Sequence, residues 1–332
     1  MCSDYGDSME TSLTPEVRRK PIPRQEVAFL IIHLLPLTAI WTGATPFDWM
    51  VCLFLYVFRM FWVTGGYHRY FAHKSYKTSR WFQFLIAFFA ETSAQKGALW
   101  WAAHHRHHHR FSDTPKDPHS MKIYGFWYSH VGWIVGPDFK ETDFKTIGDY
   151  AKYPELVWLN KHYLVPPTTL ALVVMALGGW VNGGSVTTLF TAAGFSTLFI
   201  GFFLSTVILY HGTFSINSIM HKFGKPRYET GEESKNNVWL AMLTLGEGWH
   251  NNHHYYETAS RQGFFWWEID ITYYLLRSLA AVGLIWDLKE VPKHIKYSRN
   301  KEEAQVLRKK YEMDRAPVAR DEQEKPESEI HV

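Results

Sequence analysis

Eighteen histidines occur in the 332 residues, and most of them stand in three clusters. The first is His68-Arg69-Tyr70-Phe71-Ala72-His73. The second is the run His104-His105-Arg106-His107-His108-His109, and the third is His250-Asn251-Asn252-His253-His254. His221 lies between the last two, four residues after Asn217. Spacings of three and four put imidazoles on one face of a helix, where they can share a metal ion. In the second cluster, 105/108/109 and 104/107/108 both read HxxHH, and 104/108/109 reads HxxxHH, so spacing alone leaves the register open. Residues 68 and 73 differ by roughly 140° around an ideal helix. Bringing both to one centre therefore requires a helix end or a distortion near His73.

Neutral imidazole suits zinc, copper, iron and nickel. With two cysteines, a four-cysteine zinc site and a cysteine-bound iron–sulfur cluster are excluded. A mononuclear zinc hydrolase needs three protein ligands. Eight or nine imidazoles are enough for two metals with four or five nitrogens each. Two redox-active irons beside a membrane suit oxygen activation and hydrogen removal from an unactivated carbon chain. His33, His162, His211, His294 and His331 lack clustered partners and read as structural or solvated. His119 and His130 could support a ligand or face substrate. His104 and His107 fall outside the ligand set if the first register holds.

The elements that must position these groups alternate between membrane and water. Lys and Arg (35) nearly balance Asp and Glu (32), for a net charge of +3, which argues against a nucleic-acid-binding surface. The mean hydropathy of −0.22 resembles a soluble protein, but apolar and charged residues lie in separate blocks. From His162 to His221 there is no Asp, Glu, Lys or Arg. A bilayer core needs roughly 20 apolar helical residues. The spacing predicts spans over about 27–41, 46–63, 163–181 and 186–211, with Arg59 snorkelling to the headgroups from the second. Both short loops lack Lys and Arg, so the positive-inside rule puts both termini and the long segments in the cytoplasm. The expectation is an all-α integral membrane protein, with four spans and a cytoplasmic helical cap carrying the histidines. Residues 1–25 and 291–332 read as charged tails around a domain at 26–290. Residues 81–103 read as interfacial or packed on the bundle, and 269–288 as a helix along the membrane surface. One exposed helix is expected near 301–314.

The flanking text is familiar. Gly66-Tyr67-His68-Arg69, Trp101, His105 through Asp113, Asp117-Pro118-His119, Ser129 through Trp133, Asn217 through His221 and Gly246 through His254 together resemble the membrane-bound fatty acyl desaturases. The likeness is closest to the stearoyl-CoA-type delta-9 group and covers about residues 25–290. It implies an iron-binding set of His68, His73, His105, His108, His109, His221, His250, His253 and His254, with Asn217 acting through a water. It implies two irons per chain, with zinc uptake possible in overexpressed samples. It further implies O2-dependent formation of a cis double bond, at delta-9 of a saturated C16 or C18 acyl chain. Trp101, Trp133, Trp249 and Gln95 become candidate walls of a bent substrate tunnel. Ala103-His104 stands where animal acyl-CoA enzymes of the group carry an Arg-Asp pair, so the headgroup is left open between CoA, a lipid and another thioester. No His-Pro-Gly-Gly haem motif occurs. A separate electron donor of ferredoxin or cytochrome-b5 type, with a reductase, is therefore implied, and a bacterial inner membrane rather than the endoplasmic reticulum. The rival readings are a histidine-box hydroxylase and a membrane metal-binding or transport protein. The latter would need polar groups inside the spans.

Overall fold

In the computed structural model, residues 27–313 are described, and they are mostly helical. The chain divides after Val291 into two compact units. In the first, α1 (Val27–Thr42) is apolar but short, with a 3-10 turn at Leu35–Thr38 beside Pro36 and not one buried residue. Three further helices are long and apolar enough to cross a bilayer: α2 (Pro46–Ala72), α5 (Val165–Gly183) and α6 (Ala192–His221). Between them in sequence lie α3 (Arg80–Glu91) and α4 (Ala98–Phe111), and α7 (Val238–Leu243), α8 (His250–Tyr255) and α9 (Ile271–Ala281) follow. In the second unit, α10 (Lys301–Met313) matches the helix expected near 301–314.

Thr45 and Asp48 form a capping box that starts α2. The buried Asp48 carboxylate also accepts from Asn182 Nδ2 at 2.9 Å and Thr197 Oγ1 at 2.5 Å, tying the starts of α2 and α6 to the end of α5. Helices α5 and α6 approach closely because Gly178 faces Thr197, where a Cβ would stand 2.2 Å from Oγ1. The apolar helix after the Gly-rich turn begins at Ala192 rather than 186 and continues to His221 rather than 211. Asn217 and His221 therefore share its last turns.

Arg59 departs from expectation. It does not snorkel but is fully buried, donating to Thr206 Oγ1 (2.7 Å), Ser205 Oγ (2.5 Å) and the Leu55 carbonyl (3.1 Å). The nitrogen that donates to Ser205 also faces the Phe202 carbonyl (3.4 Å) in the π-helical stretch Thr197–Leu204 of α6. Replacing Arg59 with Ala removes the guanidinium donors to the buried Thr206 and Ser205 hydroxyl oxygens. The expected cost is about 2–4 kcal/mol, read as a lowered thermal midpoint in detergent.

The segment 81–103 resolves into α3 and α4, packed against α2. The first turn of α4 is capped twice: Glu91 Oε1 accepts from the Ala98 amide (2.9 Å) and Asn160 Oδ1 from the Trp100 amide (2.9 Å). Burial pushes the Glu91 carboxyl up to about 8, partly opposed by the Ala98 amide, so the cap acts through its hydrogen bond rather than through charge. Gly97 allows the close approach, since a Cβ there would lie 2.2 Å from Asn160 Oδ1. The stretch 269–288 is helical only over Ile271–Ala281, ending before Gly283 at φ +76°. Its Asp270 is buried, capping α9 and pairing with Arg69. A two-residue antiparallel pair, Lys77–Thr78 with Ile285–Trp286, joins the α2–α3 connection to the chain after α9.

Candidate metal centre

The last part of α2, Trp62–Ala72, is π-helical. The His73 amide donates to the His68 carbonyl (3.1 Å), an i+5 bond that closes the angle an α-helix would leave between these residues. Their ring centroids are 4.8 Å apart. This is the distortion the spacing required.

Helices α4 and α8 then face each other with opposite allocations. In α4, His105 and His109 present Nε2 atoms 3.0 Å apart, while His108 turns to the other side. In α8, His250 and His254 form the corresponding pair at 3.1 Å, and His253 turns the other way. Each helix thus gives an i, i+4 pair to one group and a third histidine, His108 or His253, to the other. The first group is His68, His73, His105, His109 and His253; the second is His108, His221, His250 and His254. All nine residues expected as ligands fall in these two groups, and the helix faces set which histidine joins which group. Asn217 stands one turn before His221 and lines the cavity beside His250.

The donor atoms suit metal ions. Metal–imidazole bonds of about 2.0–2.1 Å meeting at right angles put neighbouring nitrogens about 2.9 Å apart, and a tetrahedron about 3.4 Å. The Nε2 separations His68–His253, His73–His105, His109–His253 and His221–His250 are 3.0, 2.9, 2.9 and 3.2 Å. The first group therefore has the edge lengths of a five- or six-coordinate centre. Behind the rings stand carboxylates: Glu247 on His68 Nδ1 (2.5 Å), Asp117 on His108 (3.0 Å), Glu257 on His109 (3.1 Å) and Asp113 on His221 (3.4 Å). Such partners hold the proton on Nδ1 and aim the Nε2 lone pair inward. Lone pairs converging at 3 Å call for a cation between them.

Electrostatics agree. Burial first, then neighbouring imidazoles, lowers the basicity of His73, His105, His250, His253 and His254, favouring the neutral form that metals need. Burial brings His109 to about 4, partly offset by Glu257. At His108 burial is outweighed by Asp117, and the ring is shifted upward. Burial would raise Glu247, but His68 and Arg69 hold its carboxyl below the usual range.

A cavity of about 190 Å³ opens along the imidazoles. Gln95, Trp101 and Trp133 line it, as do Phe29, Tyr210 and Phe214, which carry aromatic surface from α1 and α6. Trp249 does not line it. Its indole N–H is committed to the Ile269 carbonyl (2.8 Å), which turns the ring towards the start of α9. His119 and His104 do line it, the former packed at a tilt on His108 with centroids 4.3 Å apart. His130 instead bonds Ser218 (2.9 Å) and His211 (3.0 Å). The carboxylates were not assigned a role from sequence. Asp113, Asp117 and Glu247 lie in the motif text, and acidic residues close to histidine clusters are the signal that could have found them.

A helical bundle with three helices apolar and long enough to cross a membrane, and with histidine clusters able to hold metal ions beside a cavity, fits the class of metal-dependent membrane enzymes. Residues 19–286 match the family model described as fatty acid desaturase. The chain is 33% identical over 290 residues to the sn-1 stearoyl-lipid 9-desaturase of Synechocystis, covering 86% of each chain. It is 35% identical over 267 residues to the chloroplastic palmitoyl-monogalactosyldiacylglycerol delta-7 desaturase of Arabidopsis thaliana (78% of this chain, 67% of the relative). It is 33% identical over 267 residues to the acyl-CoA 5-desaturase AL21 of Anemone leveillei (80% of this chain, 78% of the relative). The chain belongs to the fatty acid desaturase family and is an oxidoreductase.

Proposed function

We propose that the chain is an O2-dependent desaturase that introduces a cis double bond at delta-9 of a saturated C16 or C18 acyl chain. The observation carrying this reading is the five-plus-four arrangement of imidazoles against an apolar cavity. The five-histidine group would hold one iron. The four-histidine group would hold the second, with Asn217 reaching it through a water. Bound iron would supply activation of O2, which ends as two waters after taking two hydrogens from adjacent methylenes together with two electrons from the donor and two protons. The protein's own part is positioning, since those methylenes are chemically alike. Gln95 Nε2 donates to Thr213 Oγ1 (3.1 Å) across the cavity, and Trp101 stacks on His105 at 4.9 Å, so both can fix the chain beside the imidazoles. An acyl-lipid substrate is favoured over acyl-CoA. His104, at the departure from the animal acyl-CoA pattern, is buried and bonded to the Trp100 carbonyl, offering no cationic surface for phosphates. Electrons would come from a separate ferredoxin- or cytochrome-b5-type donor. The membrane would be a bacterial inner membrane, with both termini cytoplasmic.

The test is gas chromatography of fatty acids from cells expressing the chain with such a donor. A rise in delta-9 cis monoenes that depends on O2 is expected. An oxygenated acid in their place would move the reading to a hydroxylase.

A further inference from the structure

The turn between α3 and α4 holds a conformation that its own sequence disfavours. Ala94 and Lys96 have φ of +57° and +67°, the left-handed region that is costly for residues bearing a Cβ. Such strain persists only where the surroundings over-determine it, and it gathers at functional sites. Gln95 lies between these two residues, and all three line the cavity.

Two phenols hold the turn. Tyr67 donates its hydroxyl to the Lys96 carbonyl (2.7 Å), and Tyr210 donates to the Ala94 carbonyl (2.8 Å). The bonds flank Gln95 from opposite elements. Tyr67 immediately precedes His68 on α2, and its ring stacks on Trp101 at 5.5 Å. Tyr210 lies on α6, the helix that also carries Thr213, Asn217 and His221. The turn is thus fastened directly to two of the elements that carry the imidazoles.

We propose that Tyr67 and Tyr210 are positioning residues for regiochemistry: their hydroxyls clamp the Gln95 turn in its strained form and so set which carbon–carbon bond of the acyl chain lies beside the metals. The inference rests on the desaturase reading and on the cavity as the acyl site. A wall displaced by about 1 Å is enough to misplace a reacting bond. A purely structural role for the phenols would lower stability or rate but would not move the double bond.

The test compares the full chain with Tyr67→Phe and Tyr210→Phe, each of which removes one hydroxyl and keeps the ring. Mass spectrometry of dimethyl disulfide adducts locates the double bond, and hydrogen exchange reports on the peptide spanning residues 93–98 in purified protein. Isomers at neighbouring positions are expected to rise roughly fivefold to tenfold relative to the main product, the ratio one ordinary hydrogen bond represents. Metal content should stay unchanged, and exchange in the turn should accelerate. The same single isomer from both variants, or unchanged exchange, overturns the clamp. Either substitution carries the test if the other fails to fold. A parent chain that makes no alkene sinks the desaturase reading instead, and the exchange data still judge the clamp.

Discussion

Replacing His253 with Ala is expected to lower desaturation by roughly three orders of magnitude or more, because bound metal supplies several kcal/mol of the chemistry. His253 is the crossing point of the first group: its Nε2 lies 3.0 Å from that of His68 and 2.9 Å from that of His109. It is also the one histidine that α8 contributes to that group. Its loss removes both a donor and the link between α8 and the five-histidine centre. Elemental analysis of the purified variant should show metal falling towards one ion per chain, the second group being left intact. His162→Ala is the comparison, since His162 is exposed against Trp158 and should leave activity and metal unchanged. Parent-like turnover in His253→Ala would remove the five-histidine group from the mechanism.

The histidine arrangement was legible because an i, i+3, i+4 pattern encodes faces of a helix whatever the rest of the chain does. Spacing alone could not choose among the three registers of the second cluster; the flanking residues did. The division of ligands was not legible, because it depends on α4 and α8 facing each other with opposite allocations, a tertiary fact. The distortion at His73 was implied by the five-residue spacing, although its form, a π-helical stretch, depends on packing of α2 against α3 and α4. Arg59 was misjudged for a similar reason. Its hydroxyl partners lie on Ser205 and Thr206, far along the chain, and an isolated arginine near a span end reads as a snorkel. The carboxylates behind the rings are legible only in part. Glu232 lies within 3.8 Å of His221 and His254 and Glu257 behind His109, yet neither sits in a motif with a recognisable histidine spacing.

Glu247→Ala is expected to weaken metal binding by roughly 10–100-fold and to destabilise the protein by about 3–5 kcal/mol. One Glu247 oxygen contacts His68 Nδ1 (2.5 Å) and accepts from Gln262 Nε2 (3.0 Å), and the other meets Arg69 (3.1 Å). All four side chains are buried, so the carboxylate orients a ligand ring and balances a guanidinium at once. Without it Arg69 keeps only Asp270 (3.0 Å) and the Ser260 carbonyl (2.7 Å). Glu247→Gln separates the two effects. An amide oxygen still accepts the His68 Nδ1 proton and holds the ring tautomer, so most metal affinity should survive. The charge opposite Arg69 is lost, so much of the stability should not. Thermal unfolding of metal-free protein and titration with Fe(II) would read the two quantities independently. Equal losses of affinity in Gln and Ala variants would mean that charge rather than orientation governs the first group, because only charge is missing from both.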